Sequence, residues 1–384
     1  MRVALGSAYP FDEQLIHGGV EAVAYNLAAA LASTGCVDVH IVTLSERCRA
    51  DGLERRGPLT IHWIRVDPGM GTLKALTVHA MKVAAVYREI SPEIIHAQHF
   101  SAYAVGAPRK CPLVVTVHGL EWFVPEMGPT RRYAGLTGAY RRVAERALIR
   151  VSLTKATAIV AMPGPFVPRA LGCMLRGKTV HGIPNPLVLN RWLQLPIGDD
   201  GRTVLSIGTI TRRKDQLSLV RAFLRIAAAF PDSRLVFVGD TPERDYLSAL
   251  HAEVLDAGLQ ERVAFLGLVE EEHLVGACGS AAIVASASPV ETAPMALAEA
   301  MAAGRAVVAV EAGGIPYMIQ DGASGILVRP NDVGALAERL GELLSDSSQR
   351  RRLGSLARRQ AMDLFGSGSV GQRTLDLYRE LLEA

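Results

Sequence analysis

The sequence predicts an α/β fold of two doubly wound domains, each a parallel sheet covered by helices on both faces. Three observations carry that expectation. Short β-rich runs alternate with helical patterns, the alternation runs through two successive sets, and a breaker-rich stretch separates them. Strands that alternate with helices pair in parallel, because each connection must cross over the sheet. At 384 residues the chain also exceeds what one core usually supports.

In the first set, strands are expected at Arg2–Leu5, Val37–Leu44, Thr60–Val66, Glu93–Ala97, Pro112–Val117 and Thr157–Ala161. The first helix, Val20–Leu31, carries Val23, Leu27, Ala30 and Leu31 at helical spacing. The second set is Thr203–Ile207, Arg234–Val238, Arg262–Leu266, Ala281–Ala285, Arg305–Val310 and Gly325–Val328. Ile183 to Gly201, rich in Pro, Gly and Asp, reads as the linker, which puts the domain boundary at 184/185. A final helix, Gln372–Leu382, presents Leu375, Tyr378 and Leu382 as an apolar stripe. Gly366-Ser-Gly-Ser-Val-Gly371 matches a dinucleotide fingerprint literally, but it follows a helical segment and only 13 residues remain after it. It is expected to be a helix-breaking loop.

Composition narrows the function classes. The chain is 49% apolar and 21% charged, and a net charge of +3 is too small to argue for nucleic acid as a partner. Its five cysteines are scattered, as in a reduced cytosolic protein, with neither disulfide nor zinc spacing. Arg2-Val-Ala-Leu leads almost directly into a strand, so no signal peptide is expected. No apolar run reaches the roughly 18–20 residues that cross a bilayer. A soluble, cytoplasmic protein is the expectation.

The richest segment is Glu291-Thr-Ala-Pro-Met-Ala-Leu-Ala-Glu299-Ala-Met-Ala-Ala-Gly304. It reads as a loop after a buried strand and a short Ala-rich helix, with Pro294 in the first turn and Gly304 just past the end. Such a helix start offers unpaired N–H groups to a phosphate. Carboxylates beside an anion site would repel the phosphates, so Glu291 and Glu299 are assigned to hydroxyl groups. Phosphate flanked by hydroxyls describes a nucleotide sugar. Gly208 ends the first strand of the second set, and Arg212, Arg213 and Lys214 crowd the loop after it. Cations there would neutralise a departing diphosphate; the alternative is a solvated basic turn. His118 ends a buried strand at the place where such sheets bind ligands, while His96 and His99 read as core or loop residues. Gly18 and Gly19 open the first helix, where paired glycines let a ligand approach the backbone.

Taken in order, Gly18-Gly-Val-Glu21, Val117-His-Gly119, Ile183-Pro-Asn185, Gly208 to Lys214, Leu235 to Gly239, Val263 to Gly267, the Glu291–Glu299 pair with Ala300-Met301, and Gly313-Gly-Ile-Pro316 resemble glycosyltransferase family 4. The resemblance covers the whole chain. It implies the GT-B fold: two facing Rossmann-like domains with a ligand cleft between them and a C-terminal helix crossing back to the first. The domains become 1–184 with 366–384, on the acceptor side, and 185–365, binding the nucleotide sugar. It implies a retaining hexosyltransferase using a UDP- or GDP-linked sugar, with no cofactor and no metal. Glu291 would hold sugar hydroxyls and Glu299 the ribose, while Arg213 and Lys214 would grip the diphosphate. His118 would lie near the transferring sugar, and Gly19 near the phosphates. Two residues depart from the pattern. Thr209 stands where many members have Arg, for which Arg213 is expected to substitute, and Pro294 stands where many have Gly. Pro294 removes one donor and leaves the amides of Thr292, Ala293 and Met295.

The acceptor is open: a glycan, a lipid-linked sugar or a small molecule. Residues 131–155 read as an amphipathic basic helix, with Arg131, Arg132, Arg141, Arg142, Arg146, Arg150 and Lys155 against Glu145. Leu136, Val143, Leu148 and Ile149 interleave, so weak peripheral contact with an anionic membrane is one reading and a solvated helix face the other. The functional rivals are a non-catalytic nucleotide-sugar-binding protein and a sugar-nucleotide epimerase on the same fold.

Overall fold

A computed structural model describes residues 1–67, 72–120, 135–196 and 198–384, with 72–76 and 135–142 described by backbone alone. The chain forms two compact units. One comprises Met1–Phe11, Val20–Pro186 and Ser367–Ala384, and the other comprises Asp12–Gly19 and Leu187–Gly366.

The first unit holds β1 (Arg2–Gly6), β2 (Asp38–Ser45), β3 (Gly52–Arg56), β4 (Leu59–Arg65), β5 (Ile94–Gln98), β6 (Leu113–Thr116), β7 (Ala158–Ala161) and β8 (Val180–Gly182). Their order is β3-β4-β2-β1-β5-β6-β7-β8. Every described pairing is parallel except β3 with β4, which corrects the expectation of a purely parallel sheet. β5 is buried along its whole length, as a strand covered on both faces must be. One face packs on the helix Gly19–Ser33, through Ala24, Leu27 and Leu31, and on the C-terminal helix Ser367–Glu383. The other packs on Val83, Tyr87, Ile149 and Leu153 of the helices Thr72–Ile90 and Gly135–Lys155.

The C-terminal helix begins at Ser367, five residues before the expected start, so only Gly366 breaks the chain there. Its buried stripe is Val370, Thr374, Leu375, Leu377 and Tyr378; Leu382 is exposed, contrary to expectation. Each fully buried apolar side chain here contributes about 1.5–3 kcal/mol.

The second unit holds β9 (Thr203–Ile207), β10 (Arg234–Val238), β11 (Val263–Phe265), β12 (Ile283–Ser286), β13 (Ala306–Val310) and β14 (Ile326–Val328). Their order is β11-β10-β9-β12-β13-β14, all parallel. The chain starts in the middle at β9, moves outward through β10 and β11, then returns to β12 on the other side. Such a reversal opens a crevice at the carboxyl ends of the two middle strands, here β9 and β12. In the first sheet the corresponding pair is β1 and β5.

The linker is less irregular than its Pro and Gly content suggests, since a short helix forms at Asn190–Leu193. Three arginines hold this stretch to the second unit. Arg305, only 2% exposed, donates to the carbonyls of Pro196 and Gly198. Arg358 donates to Leu195 O at 2.8 Å, and Arg350 pairs with Asp199 at 2.8 Å. Among the described residues, no helix is long and apolar enough to cross a membrane.

Candidate functional site

β9 and β12 pair directly, with Val204 opposite Ile283 and Leu205 opposite Val284. The loops that leave their carboxyl ends therefore lie side by side. The first is Gly208–Asp215. Gly208 donates to Val238 O at 2.8 Å and has φ +140°, a backbone that a side chain rarely tolerates. The loop is braced from inside by Gln216, whose Nε2 donates to Thr209 O at 3.0 Å and whose Oε1 accepts from Thr211 N at 3.3 Å. Asp215 then caps the next helix, accepting from Ser218 N.

The second loop carries Glu291, 8% exposed. Its Oε1 accepts from Lys214 Nζ and lies 3.8 Å from Arg213 Nη1. Burial by itself would raise the Glu291 pKa. The Lys214 and Arg213 cations, with hydrogen bonds from Lys214 and Ser288, outweigh it and hold the carboxyl below its ordinary value. Ser288 ties the two loops, its Oγ lying 3.3 Å from Arg213 O and 3.2 Å from Val290 O. Arg212 faces elsewhere, pairing with Glu243 at 3.1 Å and Asp245 at 3.0 Å. Of three adjacent cations, two meet the buried carboxylate and one serves a surface cluster.

Gly314 fixes the height of the Glu291 loop. Its amide donates to Glu291 O at 2.8 Å, and a Cβ there would sit 1.8 Å from Thr292 O. The helix that follows is Met295–Ala302, and Pro294 precedes it in extended backbone, not inside the first turn as expected. Thr292 and Met295 are buried, and Ala293 is half-buried. Pro294 O accepts from Leu297 N and Ala298 N, so the first two amides, Met295 and Ala296, are the ones left without a carbonyl one turn back. Glu299 lies in the middle of the helix, where burial pushes its pKa up to about 7 against the pull of Arg191. Arg191, from the short linker helix, pairs with Glu271.

Gly18 and Gly19 enter the helix Gly19–Ser33, and a Cβ at either would meet nothing within 4 Å. In the first unit, His118 follows β6, half-buried, its Nε2 2.5 Å from Gln98 Oε1. Burial and the neighbouring His99 and His96 lower its pKa to about 3, so the ring is neutral. His96 is a core residue as expected, 2.6 Å from both Thr116 Oγ1 and Tyr378 Oη. Gln98, Gln216 and Ser288 were missed in the sequence. The only available signal was a polar residue at a strand end or helix start, which is too common to single out.

In the helix Gly135–Lys155, Ile149 and Leu153 are buried, while Val143, Arg146, Arg150 and Val151 are exposed. Arg131 and Arg132 lie outside the described residues, as do the side chains of Leu136, Arg141 and Arg142.

The order of the second sheet is that of a doubly wound, Rossmann-like domain, and the ion cluster lies at its switch point. The family model for Glycosyltransferase Family 4 matches residues 17–191, and that for glycosyl transferases group 1 matches 194–360. The chain belongs to glycosyltransferase family 4. It is an enzyme of the glycosyltransferase class with the GT-B fold, two Rossmann-like domains. The alpha-maltose-1-phosphate synthase of Mycolicibacterium smegmatis is 27% identical over 418 residues, covering 99% of this chain and 100% of that protein. The sucrose-phosphate synthase of Thermosynechococcus elongatus superposes with a TM-score of 0.82 at 22% identity, covering 100% of this chain and 99% of the other. The HepE protein of Anabaena, solved with UDP and glucose, gives 0.71 at 19% identity, covering 99% and 100%.

Proposed function

We propose that this enzyme moves a hexosyl unit, with retention of configuration, from a UDP- or GDP-linked sugar to a glycan, lipid-linked or small-molecule acceptor. The observation that carries the reading is the buried Glu291 carboxylate held by Lys214 and Arg213 at the β9/β12 switch point. A carboxylate with a lowered pKa stays an acceptor at neutral pH and takes sugar hydroxyl donors. Lys214 and Arg213 then stabilise the negative charge that grows on the departing diphosphate, together with the first amides of the helix Met295–Ala302. Gly18 and Gly19 leave room for the phosphates, Glu299 takes the ribose hydroxyls, and His118 meets the transferring sugar. The acceptor attacks the face that the diphosphate leaves, and the leaving phosphate takes its proton.

No metal or cofactor enters this scheme, because Lys214 and Arg213 would themselves supply the positive charge that the departing diphosphate needs. Transfer is therefore expected to persist in EDTA, and a strict requirement for added Mg²⁺ or Mn²⁺ would contradict it. The full-length relative named for α-maltose 1-phosphate makes phosphorylated sugars a first choice in an acceptor screen. A non-catalytic binder would not hydrolyse its donor, and an epimerase would convert the donor with no acceptor present. The proposed location is the cytoplasm. The exposed Val143, Arg146, Arg150 and Val151 supply weak peripheral contact with an anionic membrane.

A further inference from the structure

Gln98 is the last residue of β5 and pairs with Thr116 of β6, which places it beside His118 two residues further on. It is 2% exposed, and the only described hydrogen bond of its side chain is the one that its amide oxygen Oε1 makes with His118 Nε2. The amide Nε2 is buried and unpartnered among the described residues. Leaving a buried donor unsatisfied costs about 1–3 kcal/mol. Ile94, His96 and Gln98 share one face of β5, so an apolar side chain would fit this position at lower cost. Stability alone does not explain an amide here; the contact to His118 does.

His96, on the same face, shows the contrast. Both of its ring nitrogens are engaged inside the protein, as suits a core residue. His118 is held through Nε2.

We propose that Gln98 is a positioning residue whose side-chain amide oxygen keeps the His118 proton on Nε2, so that Nδ1 accepts a hydrogen bond from a hydroxyl of the substrate sugar. The inference rests on the proposed role of His118 at the sugar. With the proton on Nε2, a lone pair at Nδ1 accepts a hydroxyl and repels a phosphate oxygen. The opposite tautomer would put an N–H there and attract the diphosphate instead. Gln98 thereby makes His118 selective for the sugar over the phosphates.

The test is long-range ¹⁵N–¹H correlation NMR on histidine-labelled full-length protein at pH 7, with His118 assigned through a His118→Phe variant. The expected spectrum shows His118 protonated at Nε2. Gln98→Met should abolish that preference, whereas Gln98→Glu, which keeps an acceptor oxygen, should retain it. Gln98→Met should melt at or above the wild-type temperature, since it removes an unsatisfied amide. With a donor in hand, its kcat should fall by about tenfold or more and be largely rescued in Gln98→Glu. A wild-type His118 protonated at Nδ1, or a tautomer unchanged in Gln98→Met, would overturn the proposal. The spectrum is recorded without substrate, so the tautomer it reports is independent of which donor the enzyme uses.

Discussion

Replacing Lys214 with Met removes the cation closest to Glu291 and tests whether the site is built around that pair. Breaking a buried ion pair by deleting one partner costs about 3–5 kcal/mol. Two features of the structure lower that figure: Lys214 is 21% exposed, and Arg213 stays 3.8 Å from the carboxylate. A loss of about 2–3 kcal/mol is expected, which lowers the melting temperature of a domain this size by about 5–10 °C. The pH dependence gives a sharper signature. In the wild type the Glu291 pKa lies below its ordinary 4.5, so its stabilisation is complete above 4.5 and is lost as pH falls through the folded value. Without Lys214, burial raises that pKa, and stability then declines as pH rises past 4.5. The gap between the two proteins should therefore widen from pH 4 to pH 7. Melting curves for wild type, Lys214→Met, Glu291→Gln and the double variant supply the cycle, with a coupling of at least about 1 kcal/mol expected at pH 7. Additive effects, or a gap that ignores pH, would refute the reasoning.

Three further outcomes follow from individual contacts. Glu299, with its pKa near 7, should bind ribose hydroxyls better when ionised, so nucleotide affinity should rise about tenfold between pH 6 and 8 and flatten in Glu299→Gln. In the free protein the same raised pKa has the reverse effect, because stability from this group is present below 4.5 and is lost as pH climbs toward 7. Gly314→Ala drives a Cβ into Thr292 O and must shift the Glu291 loop; donor turnover should drop by about 100-fold, and unchanged turnover would show that the loop's position is unimportant. Flotation with anionic vesicles should retain the protein at low salt and release it at high salt, with binding weakened in Arg146→Glu/Arg150→Glu; absence of salt-sensitive flotation ends the membrane reading.

Much of the fold was legible because buried parallel strands are nearly continuous apolar runs. Thr203–Ile207 and Arg234–Val238 emerge with the expected bounds. β3 escaped notice because Gly52-Leu-Glu-Arg-Arg is a mostly exposed edge strand with no apolar alternation. β8, three half-buried or exposed residues, gives as little signal. The site residues could be nominated from their loops, but their partners could not. Lys214 and Glu291 are 77 residues apart, and only the pairing of β9 with β12 brings them together. The sequence assigned them to separate groups of one ligand; the structure shows them holding each other. Gln98 is harder still, since nothing local distinguishes a polar strand-end residue from one aimed at a histidine.

The most direct test is a thermal-shift and donor-hydrolysis screen with UDP-, GDP-, ADP- and dTDP-sugars on the wild type, Lys214→Ala and Glu291→Ala. One nucleotide class, UDP or GDP, should raise the wild-type melting temperature and be slowly hydrolysed in EDTA, with hydrolysis reduced by about 100-fold or more in both variants. Near-wild-type hydrolysis in both variants would contradict the placement of the donor at the Lys214–Glu291 pair.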